Sequence, residues 1–168
     1  KVRYVRIASH YNVTLPRPDG ETPDLFTTQA YTQAMPKLIL FEWGVHLIDT
    51  LRMLLGEIDW VYCHMDKVSA LCAGEDRAFL VLGCGEVMAN IDISWASIVP
   101  ECLPSALEDM VIEGDEGSIA LVPNRGQGDL ICIADWHGAT LLRPGGKRVG
   151  SPYRVTVRPA HDGDQAAA

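Results

Sequence analysis

The chain has 168 residues, 48% of them hydrophobic, and a formal net charge of -8, enough apolar matter for one domain whose core would bury roughly two thirds of the unfolded surface. Its Lys and Arg residues are scattered rather than massed, which argues against nucleic acid or an anionic membrane as a partner, and no apolar run approaches the ~18 residues of a spanning helix. The cysteines, Cys63, Cys72, Cys84, Cys102 and Cys132, are odd in number and form no C-x-x-C pair, so they read as small core residues of a cytoplasmic protein rather than a disulfide framework or zinc knuckle.

In chain order, "VRYVRI" from Val2 alternates with period two and predicts a strand with one buried face. It carries no Met and no signal-peptide pattern, which leads us to expect a chain that begins inside a longer protein. Between Asn12 and Pro36, Pro16, Pro18, Gly20 and Pro23 exclude a long helix. They predict an extended excursion with a turn of helix near Phe26 to Ala34, and loops of that length inside a compact domain are more often functional than idle. "FEWGVHLIDTLRMLLGE", residues 41–57, then predicts one helix, with Trp43, Val45, Leu47, Ile48, Leu51, Leu54 and Leu55 at helical spacing and Gly56 as a left-handed C-cap.

From Ile58 the texture is that of strands. "IDWVYCHMDKVS", "RAFLVLGC", "EVMANIDISWASIV", "EDMVIEGD", "GSIALVP", "DLICIADW" and "YRVTVRP" are separated by short glycine turns, which join antiparallel neighbours. The expected fold is α+β: an open-faced, predominantly antiparallel sheet with a helix on one face, spanning residues 1–160, followed by a disordered tail at 161–168. "FLVLGC" is apolar on both alternations, so the uncovered face should self-associate.

Glycine pairs at Gly83/Gly85 and Gly126/Gly128 lack the third glycine of G-x-G-x-x-G and lie in hairpin-like turns, and "RPGGKRVG" lacks the phosphate-loop spacing. No residue of this chain is therefore expected to bind a nucleotide. The chemistry concentrates on the helix, where Glu42, His46, Asp49 and Met53 share one stripe. Three readings are open: an imidazole satisfied by a neighbouring carboxylate and otherwise idle, a divalent metal site needing ligands from elsewhere, or a histidine base oriented and tuned by flanking carboxylates. His10, His64, His137 and His161 stand isolated, "DWHG" at Asp135 to Gly138 reads as a tight turn, and Asp92 and Trp95 are strand residues that could face a pocket.

"VRYVRI", "MPKLILFEWGVHLIDTLRMLLGEIDWVY" and "LEDMVIEGDEGSIAL" together make the chain, from Val2 to about Arg158, resemble the C-terminal domain of the Gfo/Idh/MocA oxidoreductases. The G-x-H-x-x-D helix followed by L-x-G is the more specific motif, and the E-G-x-x-G-x-I hairpin, Glu113 to Ile119, supports it. The resemblance implies a two-domain, cytoplasmic, homo-oligomeric dehydrogenase of a sugar, inositol or related polyol. NAD or NADP would be held mainly by an N-terminal Rossmann domain that this chain lacks, together with that domain's Glu-Lys-Pro lysine, so the fragment alone would be inactive.

The family's Asp-x-Gly-x-His motif maps onto Glu42, Gly44 and His46, with Glu standing where the family has Asp. The implied catalytic residues are His46 and Glu42, with Asp49 and Trp43 as substrate contacts and no metal. A free-standing, non-catalytic dimerising or ligand-binding module is the alternative reading.

Overall fold

A computed structural model describes residues 1–17, 19–98, 108–122, 130–142 and 148–149. The strand expected at 153–159, the tail expected at 161–168, Cys102, His161 and the Gly126/Gly128 pair lie outside the described residues. The strands are β1 (Val2–His10), β2 (Trp60–Asp66), β3 (Arg77–Cys84), β4 (Val87–Ser94), β5 (Glu108–Gly114), β6 (Gly117–Val122), β7 (Leu130–Asp135), β8 (Gly138–Leu142) and β9 (Arg148–Val149). They form one sheet in the order β2-β3-β4-β1-β5-β6-β7-β8-β9. Every neighbouring pair is antiparallel except β1 with β4, so the sheet is mixed and predominantly antiparallel as expected. β8 was not anticipated as a strand: "GATLL" is short and has a single β-branched residue, and it is held by β7 through the Asp135–Gly138 turn.

Alternation along β1, β3 and β4 builds the core. Val5, Ile7, Leu80, Leu82, Ala89, Ile91 and Ile93 point to one face and are almost fully buried, in a register that sets Ile7 against Ile91 and Leu80 against Ile91. The layer over that face comes from the segment between β1 and β2. It contains α1 (Asp24–Thr28), a 3-10 turn (Ala30–Ala34), a π-helical turn (Leu40–Gly44) and α2 (Val45–Leu55). Phe26, Leu38, Ile39 and Leu51 of this layer are buried against the sheet, with Leu47, Ile48 and Leu55 packed beside them.

The helix expected at 41–57 is thus two pieces. Val45 N–H donates to Leu40 O, five residues back, and this wider turn brings Trp43 and Gly44 over the sheet. A side chain at Gly44 would meet Leu40 and the Cδ1 of Ile93, so the glycine allows the helix to lie close on β4. Gly56 does end α2 at positive φ, but its ψ of -158° is extended rather than left-handed helical; its N–H still closes on Arg52 O at 2.9 Å. Gly74 lies against the backbone of Met35 to Leu38, where no side chain fits.

The excursion after β1 is tied down by a buried polar knot. The Asp76 carboxylate, fully buried, accepts from Val68 N–H at 2.7 Å, from Ser69 N–H at 2.9 Å and from the Thr14 hydroxyl at 2.9 Å. Ser69 in turn donates its hydroxyl to Thr14 O at 2.6 Å. Trp95, for which a pocket-facing place was open in the sequence, is 8% exposed and belongs to the core.

Candidate functional site

The π-helical turn and the first turns of α2 carry the residues singled out by the sequence. The sheet-facing side of this segment is fixed by Trp43, which donates its indole N–H to the Ser9 hydroxyl on β1 at 2.9 Å. That anchor fixes the indole's orientation. The ring then meets His46 edge-on, with centroids 6.0 Å apart and planes at 66°. π-helical turns of this kind recur at functional sites because the inserted residue re-aims the side chains that follow.

His46 itself is exposed, and among the described residues no hydrogen bond joins its ring to Glu42, Asp49 or any other group; only its carbonyl is used, by the Thr50 hydroxyl at 2.8 Å. The reading of a ring satisfied by its own helix therefore fails. His46, Asp49, Val45, Ile48 and Arg52 line an open concavity of about 440 Å³, within the ~300–1,000 Å³ usual for small-molecule sites. Arg52 is engaged by Glu57, at 2.7 and 3.3 Å, and this pairing holds the Glu57 carboxyl below its ordinary pKa. Met53, the last member of the predicted stripe, is 78% exposed and lies outside that lining.

Glu42 sits one turn earlier and is reached from the Pro-rich excursion. The Tyr31 hydroxyl lies 3.1 Å from Glu42 Oε2 and 3.0 Å from Gln29 Oε1. Burial first, and then the Glu42 carboxylate, raise the phenol's pKa and keep the proton on it. Sequence reasoning missed Tyr31: a lone tyrosine in a proline-rich stretch has no periodicity that would betray its partner eleven positions on.

A second grouping lies on the open face of the sheet. His10 is not isolated: its Nε2 is 3.1 Å from Asp92 Oδ1 across the β1–β4 pair, off hydrogen-bonding alignment. The imidazole lowers the Asp92 pKa against the opposing effect of burial. Asp92 also borders a hollow shared with His64, Asp66, Arg77 and Phe79, of about 50 Å³. That admits a water or two and no sugar. Parallel pairing across 84 positions of sequence, as in Tyr4 with Met88, was the missing signal. Among the described residues no group of three or more His, Cys, Asp or Glu is arranged to hold a metal ion, and no helix is long and apolar enough to cross a membrane.

A family model described as the GFO/IDH/MocA C-terminal domain matches residues 1–120. The D-apiose dehydrogenases of Paraburkholderia graminis and Rhizobium rhizogenes are each 30% identical over 100 residues, which is 58% of this chain but 26% and 28% of theirs. The matched stretch thus spans about a quarter of the length of these curated relatives. Among solved structures, an oxidoreductase from Agrobacterium radiobacter in complex with NAD+, L-tartaric acid and magnesium superposes with a TM-score of 0.70 at 20% identity, covering 89% of this chain and 40% of that one. An inositol dehydrogenase homolog from Azotobacter vinelandii, complexed with NADH and myo-inositol, gives 0.65 at 15% identity over 89% and 37%. Both likenesses are of fold.

Proposed function

Because the chain belongs to the GFO/IDH/MocA family as its C-terminal domain, we propose that it is the substrate-facing part of a cytoplasmic NAD(P)-dependent oxidoreductase that acts on a sugar, inositol or related polyol by hydride transfer. The observation that carries this reading is the exposed imidazole of His46, free of hydrogen bonds among the described residues, in the lining of a concavity large enough for a monosaccharide. Unpaired thiols at Cys63, Cys72, Cys84 and Cys132 are in keeping with a reducing compartment.

The described residues do not themselves fit a dinucleotide. α2 is entered through a π-helical turn whose glycine is pressed against Ile93, not through an open glycine turn at the end of a strand. A nucleotide-binding unit outside these residues would supply the hydride acceptor. What this chain contributes is proton transfer and orientation. Oxidation of a secondary alcohol requires a group that takes the hydroxyl proton as the carbon loses hydride, and the neutral ring of His46 can accept it. Asp49, beside His46 in the lining, offers a carboxylate acceptor for an adjacent hydroxyl of a polyol, while Glu42, held by Tyr31, and Trp43, whose edge meets His46, lie outside that lining and would meet only a substrate reaching past it.

The full-length protein, offered NAD or NADP with a panel of aldoses and inositols, should show absorbance growth at the reduced-nicotinamide band with at least one pair. No reduction with any pair would favour the non-catalytic module. We also assign self-association to the open sheet face, where Phe79 is 40% and Met88 49% exposed. Phe79→Asp is expected to lower the mass seen by light scattering; an unchanged mass would move the interface elsewhere.

A further inference from the structure

Among the described residues β2 is the outermost strand of the sheet on the side away from β1, and all seven of its residues are exposed, including Trp60, Val61, Tyr62 and Met65. Its pairing with β3 runs without a bulge from Trp60↔Gly83 to Asp66↔Arg77. The edge is therefore regular, apolar, and free of the proline, lysine or bulge that usually blocks a sheet edge from pairing again. Lys67 stands just beyond it.

The sequence around β2 is complementary to itself when reversed about Cys63. An antiparallel copy centred there sets Val61 against Met65, Tyr62 against His64 and Trp60 against Asp66. Just outside the strand, Asp59 meets Lys67 and Ile58 meets Val68. Partners share parity in every pair, so each copy keeps its open face on the same side, as a two-fold axis normal to the sheet requires. Asp59 and Lys67 are both exposed, and although Asp59 accepts from Gly85 N–H with Oδ2, its other oxygen is uncommitted. Of the in-phase registers on either side, one sets Lys67 against Glu57, which Arg52 already engages, but leaves Asp59 against Met65 and Asp66 against Ile58; the other sets Lys67 against Val61 and Asp66 against Tyr62 and makes no ion pair.

We propose that β2 is a homodimerisation edge, joining a second copy of this chain through an antiparallel β2–β2 pair centred on Cys63 and closed at both ends by Asp59–Lys67 ion pairs. The pairing extends the sheet sideways and leaves the open face free. It does not depend on the activity assigned above.

Cys63 lies on the two-fold axis and faces its own copy, which supplies an interface-specific readout. A short bismaleimide added to the full-length protein should join Cys63 to Cys63, identified by mass spectrometry of the linked peptides. Lys67→Glu alone and Asp59→Lys alone each place like charges opposite one another at both ends, and each should cut the yield of that product about tenfold. An equimolar mixture of the two variants restores opposite charges at both ends and should recover the yield as a heterodimer. The proposal is overturned if wild-type protein gives no Cys63–Cys63 product, or if the yield ignores both the single substitutions and their mixture.

Discussion

His46→Ala in the full-length enzyme is expected to lower turnover by about two to four orders of magnitude, the usual contribution of a positioned general base. Apart from its edge contact with Trp43, the ring has no structural duty among the described residues. It makes no hydrogen bond among the described residues, and it is exposed, so its removal leaves no buried group unsatisfied and no cavity behind. Folding should therefore be preserved while the proton of the substrate hydroxyl loses its acceptor. The measurement is kcat with the best polyol across pH, together with the thermal midpoint as a control for structure. A variant that keeps wild-type kcat would remove the imidazole from the chemistry, whatever became of KM.

Asp76→Ala is expected to destabilise the fold by about 3–5 kcal/mol. Its carboxylate serves three donors, the N–H groups of Val68 and Ser69 and the hydroxyl of Thr14, in a site closed to solvent. The Thr14 hydroxyl can turn to Trp95 O, 2.9 Å away, but each of the two N–H groups left without an acceptor costs ~1–3 kcal/mol, moderated where water can enter the space vacated. Thr14→Val removes one donor together with its need and should cost only about 1 kcal/mol. Urea unfolding of the two variants side by side tests the ratio, and a loss below 1 kcal/mol for Asp76→Ala would show that the carboxylate is not what secures these loops. The effect should reach the site as well, because Glu75 O, next in sequence, accepts the Ile39 N–H at the entrance to the π-helical turn.

Where sequence reasoning succeeded, the signal was periodic or tied to a short motif. Alternation in "VRYVRI" pointed to β1 as a strand with one buried face, while "RAFLVLGC", apolar on both alternations, pointed to a strand without saying which face is covered; helical spacing located α2 and the shared side of His46 and Asp49. What escaped it was set by tertiary contacts. The π-helical turn arises because Trp43 is held by Ser9 and Gly44 by Ile93, two partners on different strands. Tyr31 reaches Glu42, and His10 reaches Asp92, only after the excursion has folded back and β1 has inserted beside β4. Asp76 gave no signal in the sequence, because burial of a carboxylate is visible only once its three donors have been brought together.

The position of β1 in the middle of the sheet has a consequence for how the molecule is made. Its two neighbours, Met88 to Ser94 and Glu108 to Gly114, lie roughly a hundred residues downstream, so on a ribosome this strand emerges before either of its partners. At ~5–20 residues per second, its two ladders have to wait on the order of 5–20 s for their partners to be synthesised. Loops that long close slowly and delay folding. The nascent chain should hold an exposed "VRYVRI" throughout that interval and depend on whatever shields it until the last of β5 leaves the exit tunnel.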